Sequence, residues 1–168
     1  MLYFSIMKIF KKAIKYKGEE YDVHHVNVKN FDDLEDKYIL KTHAVCFWDK
    51  KMVLVNHSEW NVWSIPGGTR ELNESVEETL HREILEETNC KIIDLKPTSY
   101  QKIISSKGEI YYRAYYICNV KPVDKFINDP AGRINKIIWI DPKDFEKYIE
   151  KKPHREIIIK NALKSLAK

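Results

Sequence analysis

No apolar run in this chain approaches the roughly 20 residues that a membrane-spanning helix needs. The opening Met1–Met7 is apolar but short, and Lys8 follows it. It has neither a basic start nor a small-residue cleavage site, so no secretory signal is expected there; a first β-strand or a disordered start is. Cysteine is sparse. Cys46, Cys90 and Cys118 stand far apart, with no CxxC and no Cys/His cluster at zinc spacing. An odd count without an export signal points to reduced thiols and a cytoplasmic location. Their apolar neighbours point to burial rather than catalysis. There is no internal repeat and no low-complexity linker. A strong charge of one sign is also missing. Lys and Arg number 29 against 25 Asp and Glu, a net +4, short of the signature of a nucleic-acid binder.

What is present suits one folded domain. The chain has 168 residues, 43% hydrophobic and 32% charged, enough for a core and a solvated surface. We read residues 1–168 as a single domain, with 1–38 a lead-in, 39–150 the core and 153–168 a C-terminal helix. The residues of 43–48 and 52–57 read as a hairpin, and Trp60 to Ile65 as a further short strand ended by Pro66-Gly67-Gly68. Residues 74–88 are strongly helical by propensity, with Asn73 a candidate N-cap and Asn89 at the stop. Long strands at 91–106 and 109–120, a strand at 136–140, and helices opened by Asp141-Pro142 and following Pro153 complete the order. That order suits an α+β fold or an α/β/α sandwich with a mixed sheet.

The charge is unevenly placed. Between Arg70 and Glu87 there are seven Glu against two Arg, and the rest of the chain is correspondingly basic. A solvated acidic helix face and a cation-binding knot both give such a composition. The helical wheel separates them. Val76, Leu80 and Ile84 form an apolar stripe at i, i+4, i+8. At about 100° per residue, Glu83 lies about 20° from Val76, and Glu87 about 20° from Leu80. These carboxylates extend the buried stripe instead of facing solvent. Glu83, Glu86 and Glu87 also crowd one another at helical spacing, which disfavours the helix. Arg82 is one charge against three, and a hard divalent cation balances carboxylate oxygens better. Gly67-Gly68 lets the backbone approach such an ion.

Gly68, five residues, Glu74, seven residues, then Arg82-Glu83-Ile84-Leu85-Glu86-Glu87-Thr88-Asn89-Cys90 resembles the Nudix box. The match holds at Gly68, Glu74, Arg82, Glu83, Ile84, Glu86 and Glu87; Asn89 stands for Gly and Cys90 for an aliphatic residue. Asn tolerates a left-handed turn, and Cys packs as a small hydrophobe. The resemblance implies a Nudix-type α/β/α sandwich. It also implies hydrolysis, at a phosphoanhydride, of a nucleoside diphosphate linked to another moiety, with Mg²⁺ or Mn²⁺. By position, Glu83, Glu86 and Glu87 would bind metal with the Gly67 carbonyl. Glu83, or a Glu outside the box, would deprotonate water. The catalytic set would be Glu83, Arg82 and Glu86, with Arg82 orienting Glu83 and with Gly68 and Glu74 supporting the box. A small nucleotide is the implied partner, to a monomer or homodimer, with neither a membrane nor nucleic acid expected.

Beyond the box the signals thin. Alternation places Tyr111, Arg113 and Tyr115 on one strand face, where Tyr111 and Arg113 are candidates to stack a base and hold a phosphate. An ordinary amphipathic sheet face explains them as well. Trp60, Trp63 and Trp139 read as packing residues, and Glu109 and Asp129 as loop carboxylates within possible reach of a metal. A binding module that recognises a nucleotide without cleaving it is the alternative function. It would be expected to lose box carboxylates, and this chain keeps them.

Overall fold

The computed structural model describes residues 10–166. The apolar opening Met1–Met7 lies outside them. The elements are β1 (Phe10–Tyr16), β2 (Glu19–Asn27), β3 (Ile39–Trp48), β4 (Lys51–His57), β5 (Val62–Ser64), β6 (Gly67–Thr69), α1 (Val76–Thr88), β7 (Cys90–Ser105), β8 (Ile110–Pro122), β9 (Ile134–Ile140) and α2 (Pro153–Leu166). Short 3₁₀ turns span Asp36–Tyr38 and Pro142–Lys147. The strands form one sheet in the order β1-β2-β7-β8-β3-β4-β5, with β6 also on β3 and β9 on β4. The β3–β8 pairing is parallel, and the other paired strands run antiparallel. The fold is α+β with a mixed sheet.

The expected hairpin at 43–57 is real but brief. Asp49 and Lys50 both take positive φ, 46° and 62°, the signature of a two-residue turn whose twist matches its strands. Only Phe47–Met52 and Trp48–Lys51 then pair. Beyond them the strands part: β3 takes β8 and β6 as neighbours, and β4 takes β9. The splaying opens the start of β3 to β6.

Alternation along β3 sorts the core into two layers. Ala44 and Cys46 face α1, whose Val76, Leu80 and Ile84 pack with Val53, Ala114, Tyr116, Cys118 and Val120. Val45 and Phe47 face the other layer, with Leu54, Ile117, Ile140, Phe145, Ile159 and Ala162. Leu80 and Ile84 are fully buried, each contributing about 1.5–3 kcal/mol. All three cysteines are buried and reduced. Trp63 and Trp139 are half-buried, but Trp60 is exposed beside His57 and is no core residue.

The ends of α1 set the aim of its carboxylates. Ser75, rather than Asn73, is the N-cap: its hydroxyl accepts from Glu78 N at 3.2 Å, and the Glu78 carboxylate accepts from Ser75 N at 2.8 Å. A reciprocal capping box, worth about 1 kcal/mol, outcompetes a single Asn. Asn73 instead turns at φ 69°. At the other end Asn89 is left-handed (φ 55°, ψ 36°), and its N–H bonds the Leu85 carbonyl at 2.9 Å. Its side-chain amide also donates to Lys125 O at 3.3 Å, a tie that Gly lacks.

Candidate active site

The site begins where β6 lies along the first half of β3, pairing Thr42 with Gly68 and His43 with Gly67. Gly67 sits at φ 136°, and a Cβ there would strike the Thr42 and His43 backbone. A Cβ on Gly68 would strike the Glu83 carboxylate. Both glycines therefore let backbone reach α1. Gly67 makes contact through its N–H, which donates to Glu87 Oε2 at 2.8 Å.

Arg82 organises the first part of the motif. Its Nε and Nη2 grip both oxygens of Glu74 at 2.6 and 3.0 Å, and Nη2 also donates to Thr69 O at 3.1 Å. Nη1 reaches Glu83 at 3.0 Å and Glu86 at 3.3 Å. Glu74 further accepts from the Thr79 hydroxyl and from Glu71 N. The guanidinium is the main reason its pKa is held down to about 2.

Glu83 and Glu87 lie under different conditions. Burial raises the Glu83 pKa against the pull of Arg82. Burial pushes Glu87, only 6% exposed, up to about 8. The Gly67 N–H opposes that shift, and the Glu83 and Asp129 charges add to it. Among the described residues no three His, Cys, Asp or Glu groups converge as an ion-binding set. The Glu83 and Glu86 oxygens are turned to Arg82. The donors nonetheless suit a hard divalent cation. They are carboxylate oxygens on adjacent helical turns, held where negative charge is costly, with the Glu83 carboxylate packed against Gly68 where any side chain would displace it.

Facing Glu83 is a basic sector. Arg113 stands in register with Lys41 across the parallel β3–β8 pair. Its guanidinium carbon is 6.0 Å from the Tyr111 ring, and its buried Nε has no hydrogen-bond partner. Burial, then Arg113 and Arg133, lower the Lys41 pKa, while Glu83 opposes them. His43 stacks on Tyr115 at 5.7 Å between ring centroids and is kept neutral by burial, its pKa lowered to about 3. The structure thus sets Arg113 beside Lys41 and His43, the residues of β3 that lie along β6. Glu109 stays at the β7–β8 turn beside Ser105. Asp129 is buried and caps its own loop, accepting from the Ala131, Arg133 and Ile134 amides, within electrostatic reach of Glu87. Lys41 and Arg133 escaped the sequence reading. A lysine at a strand start and an arginine in a loop carry no spacing signal, although Lys41 shares its strand face with the apolar Val45.

The family model of the NUDIX domain matches residues 38–161. The chain belongs to the Nudix hydrolase family. No curated protein matches its sequence. Solved structures resemble it over most of its length. The pyrophosphohydrolase BsRppH of Bacillus subtilis, in a mutant form, is 20% identical with a TM-score of 0.69, covering 95% of this chain and 98% of its own. The Nudix domain of NrtR from Shewanella oneidensis, complexed with ADP ribose, is 19% identical (TM-score 0.61; 80% and 94% covered). A Nudix hydrolase from Nitrosomonas europaea is 22% identical (TM-score 0.58; 74% and 88% covered). At these identities the likeness is one of fold. Nudix hydrolases use divalent metals, and among the described residues no helix is long and apolar enough to cross a membrane.

Proposed function

We propose that this Nudix hydrolase cleaves a phosphoanhydride bond of a nucleotide whose diphosphate is linked to another moiety, with Mg²⁺ or Mn²⁺ as cofactor. One observation carries the reading: half-buried Glu83 and buried Glu87 stand on adjacent turns of α1 with raised pKa values, Glu83 sharing Arg82 with Glu74 and Glu86, and Glu87 held by the Gly67 N–H alone. Glu83, Glu86 and Glu87, with Gly67, would hold the ion. When bound, it neutralises diphosphate oxygens and lowers the pKa of a bound water. Glu83 accepts the proton of the attacking water. Arg82 fixes the Glu83 rotamer and tethers Glu86, while Glu74 fixes Arg82 in turn. Residues 39–150 act as one catalytic unit, with α2 closing the opposite face of the sheet.

The test is a panel of nucleoside triphosphates, nucleotide sugars and dinucleoside polyphosphates with phosphate or pyrophosphate detection. Turnover of at least one class is expected with Mg²⁺ or Mn²⁺ and none with EDTA. Tight binding across the panel without metal-dependent turnover would replace the hydrolase with a binding module.

A further inference from the structure

We propose that Lys41 and Arg113, supported by Arg133, form an anion clamp for free terminal phosphates. The preferred substrate is then a nucleoside 5′-triphosphate or similar polyphosphate end, and not a diphosphate diester. The inference rests on the hydrolase reading and names the substrate class of that same site.

Lys41 and Arg113 are direct cross-strand neighbours, and like charges so placed repel. Neither they nor Arg133 form an ion pair among the described residues. The nearby carboxylate, Glu83, gives its close contact to Arg82. Arg133 nevertheless acts on Lys41, Glu83 and Glu87 alike, so its charge belongs to the same space. The neighbouring polar groups are neutral, and the Tyr115 hydroxyl, which also meets the Arg113 side chain, does not answer its charge. The Tyr115 hydroxyl donates to Gln101 Oε1 at 2.9 Å, and the Gln101 amide donates to His154 O at 2.9 Å. Arg113 Nε is left buried with an unused N–H. A buried donor normally finds an acceptor, and a cation placed against another cation needs an anion.

The count of charge selects the anion. Among the described residues none of the three cations is ion-paired with the carboxylates of α1, so metal bound by those carboxylates leaves them without a close counter-charge. A diphosphate esterified at both ends brings two negative charges. A triphosphate end brings about four, and its terminal phosphate presents acceptors on every side for a planar, forked guanidinium.

The clamp is testable without metal. Calorimetric titrations of the full-length protein in EDTA compare inorganic tripolyphosphate with ADP-ribose. Wild type is expected to bind tripolyphosphate at least about 10-fold more tightly. Lys41→Met and Arg113→Met are each expected to lose about 10-fold in tripolyphosphate affinity, the scale of one charged hydrogen bond, with little change for ADP-ribose. Lys41→Arg and Arg113→Lys are expected to keep most of it. Should Arg113→Met fail to fold, as judged by its melt, Lys41→Met and the wild-type preference decide alone. A preference for tripolyphosphate below threefold, or a loss below threefold in the folded Met variants, overturns the clamp. Because EDTA removes turnover, failure of the hydrolase reading shows separately, as binding intact but no metal-dependent cleavage.

Discussion

Glu74 and Glu87 are carboxylates at opposite ends of one motif, and their surroundings push them in opposite directions. Ahead of α1, Glu74 is gripped by both prongs of Arg82 and held ionised down to about pH 2. In the last turn, Glu87 is buried with one backbone N–H for company, and its pKa rises to about 8. The first arrangement is complete: its charge is answered within the chain. The second is incomplete and calls for a cation from outside. Charge count alone does not separate a structural acid from a functional one; the partner and the burial do.

Breaking the incomplete end should cost activity most. Glu87→Gln and Glu83→Gln keep shape and remove charge. Each is expected to lower metal-dependent turnover on the order of 10²-fold or more, measured under saturating substrate. The metal-free fold should survive, and Glu87→Gln should gain stability at about pH 8 and above, where the buried Glu87 is charged.

The pH dependence of stability sharpens the contrast, since the two ends have opposite signs. Glu87 binds its proton more tightly folded than unfolded. Its contribution is full below about pH 4.5 and is lost as pH rises towards 8. Glu74 contributes above about pH 4.5 and loses its contribution as pH falls towards 2. Denaturant unfolding of metal-free protein should show stability of wild type relative to Glu87→Gln falling between pH 5 and 8, by at most about 1.4 kcal/mol per pH unit. A flat difference across that range would detach the shift from Glu87.

Glu74→Gln attacks the complete end. It should lower stability at pH 7 by about 1–2 kcal/mol, read by denaturant unfolding, because Arg82 loses a charged, bidentate partner. Its turnover should fall less than that of Glu87→Gln. The smallest expected effects are at Asn89. Its φ of 55° suits Gly, so Asn89→Gly should be nearly neutral in a thermal melt, the lost tie to Lys125 offsetting relieved strain. Asn89→Val should destabilise by about 1 kcal/mol or more, since a β-branched side chain resists that backbone.

This contrast also marks how far the sequence could be read. The burial of Glu83 and Glu87 was legible on the helical wheel, because Val76, Leu80 and Ile84 define the buried line that both residues extend. The left-handed stop at Asn89 was legible for the same local reason. The cap was not: Asn73 and Ser75 are both good caps, and only the reach of Glu78 back to Ser75 decides between them. The basic sector was half hidden. Alternation singles out Arg113 on its strand, but only the parallel β3–β8 register sets it against Lys41. Such a pairing between segments remote in sequence leaves no periodic trace. Arg133 arrives on a loop shaped by Asp129, where no period exists to read.

The most direct test of the unanswered carboxylates is the thermal shift produced by Mn²⁺ on substrate-free protein near pH 8. The wild-type melting temperature is expected to rise with Mn²⁺ as ligand binding stabilises the folded state. Glu74→Gln should retain the rise, and Glu87→Gln should lose most of it. Equal shifts in wild type and Glu87→Gln, or no shift in wild type, would contradict the assignment of Glu87 to a cation site.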